Sequence, residues 1–149
     1  MNKPKSLLLA LLFLISVSLA CSVSLNLRSS PQTDLLSIQA NETWTNTHLQ
    51  VNPGDQLTII YQSGKWSPGL NETYDALGYG GDPRSANNVI KGVSHAALIG
   101  RIGHHQPFFV GEHYHHIVGE SGMLYLGIND SDVGNNSGFL QVKVKIEEK

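Results

Sequence analysis

Apolar and polar residues alternate with a period of two along most of this chain. Leu140, Val142, Val144 and Ile146 are separated by Gln141, Lys143 and Lys145, the pattern of a strand with one face in a core and its lysines in water. Leu124, Leu126 and Ile128 alternate with Tyr125 and Gly127 to predict a second strand. Residues 56–61, rich in β-branched side chains, follow an Asn52-Pro53-Gly54-Asp55 turn and predict a third. Residues 95–102 read as a buried strand, with shorter ones at 108–110 and 114–118. A helical period is almost nowhere to be found. Fifteen glycines and six prolines punctuate the runs, and that spacing predicts an all-β fold, a small jelly-roll-like antiparallel β-sandwich. Residues 64–88 have no period, and a loop of that length is usually functional or folded around something.

The first twenty residues follow a different pattern. Lys3 and Lys5 precede an apolar run from Leu7 to Ile15, and small residues then lead to Ala20 and Cys21. This is the layout of a secretory signal peptide over residues 1–20, with an apolar run too short to span a bilayer comfortably. Cys21 is the only cysteine, so no internal disulfide can form. A lone cysteine directly after the cleavage site resembles a bacterial lipoprotein site and predicts acylation there, hence a membrane anchor in the outer membrane or periplasm. Ser18 and Ala20 equally suit ordinary signal peptidase, which would release a secreted protein by cutting the same bond. Residues 21–33 then form a Ser-rich tether, and residues 34–149 a single domain. Loss of Lys3 and Lys5 leaves eight basic residues against twelve acids, a balance that excludes the basic surfaces nucleic acid requires. Four Asn-x-Ser/Thr sequons, at Asn41, Asn71, Asn129 and Asn135, matter only in a eukaryotic secretory route.

Chemistry concentrates near the C-terminus. The segment Asn129-Asp130-Ser131-Asp132-Val133-Gly134-Asn135-Asn136-Ser137-Gly138 sets two carboxylates, three carboxamides and two hydroxyls between two strands. Many hard oxygens on a short tether suit Ca²⁺, which takes six to eight oxygen ligands. EF-hand spacing is absent. The same composition also makes an ordinary polar hairpin loop.

Five elements follow one another along most of the domain: Asn52-Pro53-Gly54-Asp55, then Gly64-x-Trp66, Gly78-x-x-Gly81-Asp82, Ala97-Leu98-Ile99-x-x-Ile102-Gly103, and Asn129-Asp130…Gly134-Asn135-Asn136-Ser137-Gly138. In that order they resemble the PA-IL (LecA) type of calcium-dependent galactophilic lectin. The resemblance implies a β-sandwich whose last loop holds one Ca²⁺ that bridges to a sugar, galactosides being the implied partner. It also implies side-chain ligands at Asp130, Asn135 and Asn136. Backbone carbonyls near Ser67 or Pro68 and near Asp132 complete the set, with Asp132 able to add its own carboxylate. The implied sugar contacts fall on Asp82, Ser85, Asn88, Asp130 and Asn135. Two departures stand out: the stretch from Asp130 to Asn135 is shorter than the family's, and Ser85 and Asn88 replace the His and Gln of its His-Pro-x-Gln. Ion binding therefore transfers better than galactose specificity.

Two further sets of residues invite a role. Trp66, Tyr74 and Tyr79 lie in or near the irregular stretch; Trp66 is expected in the core and Tyr79, between glycines, in the open beside a sugar. Six of seven histidines fall between positions 95 and 116. His104, His105, His113, His115 and His116 form a candidate Zn²⁺, Cu²⁺ or Ni²⁺ site on a hairpin, the basis of an alternative periplasmic metal-binding role. A third reading is an adhesion domain in which Ca²⁺ only stiffens the loop. Catalysis has little support: there is no nucleophile elbow and no phosphate-binding glycine loop, and Asp130 and Asp132 read more simply as ligands than as a glycosidase pair. Association with further copies of the chain is left open.

Overall fold

The computed structural model describes residues 30–69 and 71–149; the expected signal peptide and Cys21 lie outside them. Among the described residues the strands are β1 (Gln32–Gln39), β2 (Thr45–Val51), β3 (Gln56–Ser67), β4 (Leu98–Ile102), β5 (Phe108–Phe109), β6 (His113–Ile117), β7 (Gly122–Ile128) and β8 (Ser137–Glu147). They form two four-stranded sheets, ordered β1-β8-β3-β6 and β2-β7-β4-β5. Every neighbouring pair is antiparallel. This is the expected all-β sandwich.

The period-two pattern explains why. In β8, Leu140, Val142, Val144 and Ile146 are buried while Lys143 is exposed. Leu124, Leu126 and Ile128 of β7 face them from the other sheet, joined by Ile38, Leu57, Ile59 and Leu98. Each fully buried large aliphatic side chain stabilises the fold by roughly 1.5–3 kcal/mol relative to exposure. The turn before β3 closes as its residues demand: the Asp55 carboxylate accepts from the Asn52 amide at 2.8 Å, and the Asp55 amide donates to the Asn52 carbonyl at 3.1 Å.

Three strand expectations change. The buried strand expected over residues 95–102 begins only at Leu98, because Ala96 takes a left-handed conformation (φ 59°). Its carbonyl is turned aside to accept the Trp66 indole N–H at 2.8 Å. β2 was hidden by polar residues on its buried face: Thr47 is buried with Leu49 and Val51, its hydroxyl satisfied by the Leu124 carbonyl at 2.7 Å. β1 starts at Gln32, so the expected tether gives its last two residues, Gln32 and Thr33, to the sheet.

Register decides where the loops gather. Gln39 pairs with Phe139, Ser67 with Ser137, and Leu98 with Ile128. The end of β1, the end of β3, the start of β4, the end of β7 and the start of β8 therefore meet at one pole. The irregular stretch between β3 and β4 covers that pole. Among the described residues, no helix is long and apolar enough to cross a membrane.

Candidate functional site

The last loop leaves β7 with a buried anchor. Asn129 is fully buried; its side-chain oxygen accepts from the Ile90 amide at 2.8 Å and its amide donates to the carbonyls of Ile90, Val93 and Ser94. One carboxamide thus staples the loop to the segment before β4. Asn129 is a clamp rather than a surface donor.

Asp130 follows, 2% exposed. Its Oδ1 accepts from the Asp132 amide at 2.9 Å, an Asx turn, and its Oδ2 accepts from Asn136 Nδ2 at 3.1 Å. Asn136 Nδ2 also donates to the Ala40 carbonyl at 3.2 Å, tying the loop to the end of β1. Its Oδ1 is buried with no hydrogen-bond partner.

His95 closes the group from the other side. Its Nδ1 lies 2.8 Å from Asn88 Oδ1, and Asn88 Nδ2 donates to the Val93 carbonyl at 2.7 Å. With Asn88 Oδ1 accepting, Nδ1 carries the ring's proton and Nε2 is left as a bare lone pair. That Nε2 is buried, without a hydrogen-bond partner, and 3.8 Å from Asp130 Oδ2. Burial pushes the imidazole pKa below its ordinary value against the opposing pull of the Asp130 and Asp82 carboxylates, so the ring is neutral near pH 7. Asp130 Oδ2, Asn136 Oδ1 and His95 Nε2 together make a buried, electron-rich cluster with too few donors. Buried polar atoms are almost always paired, so the bare Asn136 Oδ1 and His95 Nε2 call for either a hydrogen-bond donor or a cation.

The opposite wall comes from the end of β3. Ser67, Pro68 and Gly69 are buried. Gly69 takes a positive φ of 73°, and a Cβ there would fall 2.2 Å from Asn135 Nδ2. Only glycine lets the Asn135 side chain lie against this corner. The carbonyls of Pro68 and Gly69 both accept from Arg84 Nη1, the former at 2.7 Å. Arg84 is itself held by Asp82, through Nε at 2.9 and 3.1 Å and Nη2 at 2.5 Å. The Asp82 carboxylate also accepts from the Arg84 amide at 2.7 Å, capping the short 3₁₀ turn Pro83–Asn87. Hydrogen bonding from Arg84 pulls the Asp82 pKa down to about 2.

Beside this pole lies a cleft of about 360 Å³, lined by Gly80, Gly81, Ser85, Asn88, Lys91 and His95 among others. Ser85 is exposed at it. Tyr79 is 44% exposed and stacks on Tyr74, ring centroids 5.4 Å apart. Trp66 is fully buried, as expected.

The fold thus gathers Asp130, Asn135, Asn136 and the Pro68 carbonyl at one pole, with Asp82 and Ser85 adjoining. Asp132 is exposed in the same loop, its amide donating to Asp130 Oδ1 at 2.9 Å. Asn88 is buried, its side chain spent on His95 and Val93. The histidine set does not converge. His104 and His105 are exposed in the turn after β4, His105 facing Glu120 at 3.4 Å, while His113, His115 and His116 are exposed on β6. His115 Nδ1 meets the Thr58 hydroxyl at 2.9 Å. Among the described residues no three His, Cys, Asp or Glu side chains form a group that could hold an ion. The calcium donors expected from the sequence are instead mostly carboxamide and carbonyl oxygens.

Sequence reasoning missed Arg84 and His95 as members of the site. One signal was legible: His95 opens an apolar run, which marks it as buried and set apart from the exposed histidines.

An all-β sandwich that collects oxygens at one loop-covered pole has the build of a lectin-like carbohydrate-binding domain. The chain belongs to the PA-IL-like protein family, which residues 36–149 match. Among solved structures it is similar to the N-terminal domain of EclA, a PllA-like lectin, with a TM-score of 0.60 and 23% sequence identity over 76% of this chain and 95% of that one. At that identity the likeness concerns the fold. No curated protein matches the sequence.

Proposed function

We propose that this domain binds carbohydrate through a Ca²⁺ held at the loop pole. The observation that carries the reading is the juxtaposition of the buried Asp130 carboxylate with the unpartnered Oδ1 of Asn136. Asp130, Asn135 and Asn136 would supply side-chain oxygens, with a backbone carbonyl from the Pro68 corner. When bound, the ion supplies open coordination positions at which two sugar hydroxyls replace water. The protein's own part is to hold the donors in place: Asn129 staples the loop, Gly69 makes room for Asn135, and Asn136 ties the loop to Ala40.

Galactoside recognition of the family's kind is weakened by two features. Asn88 is committed internally, and Asp82 is saturated by Arg84. Exposed groups next to the pole include Ser85 and the Tyr79 ring. A hydroxyl contact and an aromatic platform for a sugar's apolar face follow from them. The proposal extends to location: export by the N-terminal signal and anchoring through an acylated Cys21, which mass spectrometry of the purified protein would reveal or refute.

The decisive test is glycan-array binding with calorimetry, run with Ca²⁺ and with EDTA. The proposal expects sugar binding that disappears on chelation. Binding indifferent to EDTA would remove the ion from the mechanism, and a Ca²⁺-dependent melting temperature with no sugar affinity would leave only a structural ion.

A further inference from the structure

Arg84 lies where a loaded ion would need oxygen. Its guanidinium is one-quarter exposed and is held by both carboxylate oxygens of Asp82, itself almost completely buried. From that anchor Nη1 reaches across to the Pro68 and Gly69 carbonyls, the corner against which Asn135 packs. Its pKa is raised chiefly by the Asp82 hydrogen bond, with Asp130 adding to the same field. A single fixed cation thus binds the β3 corner to the Asp82 turn and compensates the negative charge of the pole.

From this geometry we infer that Arg84 is a built-in cation that competes with Ca²⁺ for the Pro68–Gly69 corner and so sets the affinity of the site. The inference rests on the proposed calcium site and adds what governs its occupancy. A carbonyl oxygen bound to Ca²⁺ sits 2.3–2.6 Å from the ion, so an ion using the Pro68 oxygen would come within about 5 Å of the guanidinium already bonded there. Two positive charges that close repel strongly outside bulk water. Loading then requires the Nη1 contact to break, while the Asp82 fork can persist. Because the fork is bidentate and its partner buried, Arg84 does not leave readily. Ca²⁺ binding is accordingly weaker than the oxygen donors alone would give.

The test is calorimetric Ca²⁺ titration, with thermal melts in EDTA and in millimolar Ca²⁺, of the wild-type protein, Arg84→Gln and Arg84→Lys. Arg84→Gln is expected to bind Ca²⁺ at least tenfold more tightly than wild type. Its melting temperature should fall in EDTA, where the internal cation is missing, and recover with Ca²⁺ by more than the wild-type gain. A merely structural arginine would lower both melting temperatures and leave the affinity unchanged or weaker. Arg84→Lys keeps the charge but loses the fork, and several-fold tighter binding is expected; it also serves should Arg84→Gln fail to fold. Wild-type Ca²⁺ binding with no tightening in either variant overturns this inference alone. Absence of Ca²⁺ binding in all three proteins overturns it together with the proposed function. Binding by the variants but not by wild type supports the inference and confines the calcium site to a latent state.

Discussion

Trp66→Phe tests the link between core and pole. Trp66 is fully buried, exchanges both backbone hydrogen bonds with Tyr74 at 3.0 and 2.8 Å, and donates its indole N–H to the Ala96 carbonyl at 2.8 Å. Phenylalanine keeps the strand pairing and most of the ring but removes the donor. Leaving a buried carbonyl unpaired costs about 1–3 kcal/mol. The lost ring volume, roughly 40 Å³ at about 24 cal/mol per Å³, adds about 1 kcal/mol. The expected loss is therefore about 3 kcal/mol. With an unfolding entropy of about 2.1 cal/mol/K per residue over roughly 120 residues, that lowers Tm by about 12 °C. Guanidinium chloride unfolding followed by far-UV circular dichroism measures it, with an unchanged m value expected. Trp44→Phe is the control: Trp44 is only partly buried and stacks on Arg101 at 4.7 Å, so its loss should cost under about 1 kcal/mol. A Trp66→Phe penalty below about 1 kcal/mol, or one no larger than the control's, would refute the assignment of Trp66 as the strut holding Ala96 and His95 in place.

Acid should destabilise the EDTA-treated protein through His95. Its folded pKa is lowered by burial, so below the ordinary histidine value of about 6.5 the unfolded chain takes up a proton that the folded chain refuses. Stability then falls with decreasing pH by up to about 1.4 kcal/mol per unit until the folded pKa is reached, and His95→Gln should remove that slope in urea melts taken at stepped pH. Asp82 acts in the same direction but in a more acid window: its pKa is held at about 2 against 3.8 unfolded, so its stabilisation is complete above about pH 4 and disappears as pH falls through about 2. Two glycine substitutions should diverge sharply. A Cβ at Gly127 would fall 1.9 Å from the Thr43 carbonyl oxygen, so Gly127→Ala must displace backbone and should cost about 3 kcal/mol or more. A Cβ at Gly134 meets nothing within 4 Å and needs no positive φ, so Gly134→Ala should be neutral or stabilise by up to about 1 kcal/mol, and equal effects at both positions in chemical denaturation would contradict the packing described.

What was legible in the chain depended on how local its cause was. β7, β8 and the first half of β3 announced themselves because their buried faces are aliphatic at every second position. The rest of β3, past the expected residue 61 to Ser67, did not, because a register shift and polar residues hide it. β2 did not, since Thr47 takes a core position only by virtue of an acceptor supplied by Leu124 on another strand. The adjacent Leu35 and Leu36 of β1 blurred its period, one being 66% exposed and the other partly buried. At the pole, Asp130, Asn135 and Asn136 stood out as a dense run of oxygens. The partnerships of Arg84 with the Pro68 corner and of His95 with Asp130 did not, because they join segments that only the sheet register brings together. Composition drew attention to the histidines of β6 instead, yet among the described residues these edge-strand side chains join no group of three His, Cys, Asp or Glu that could hold an ion.

The antiparallel partnership of β1 with β8 has a consequence for display. Gln32 lies beside Ile146 and Gln39 beside Phe139, so the start of β1 and the end of β8 share the extremity farthest from Asp130, roughly 25 Å off along the strand axis. With an acyl chain on Cys21, as proposed, the bilayer would lie beneath that extremity and the calcium end would look outward to arriving glycans. A fusion joined after β8 would likewise leave the Asp130 pole free, which suits the fold to immobilisation on a sensor without occluding that pole.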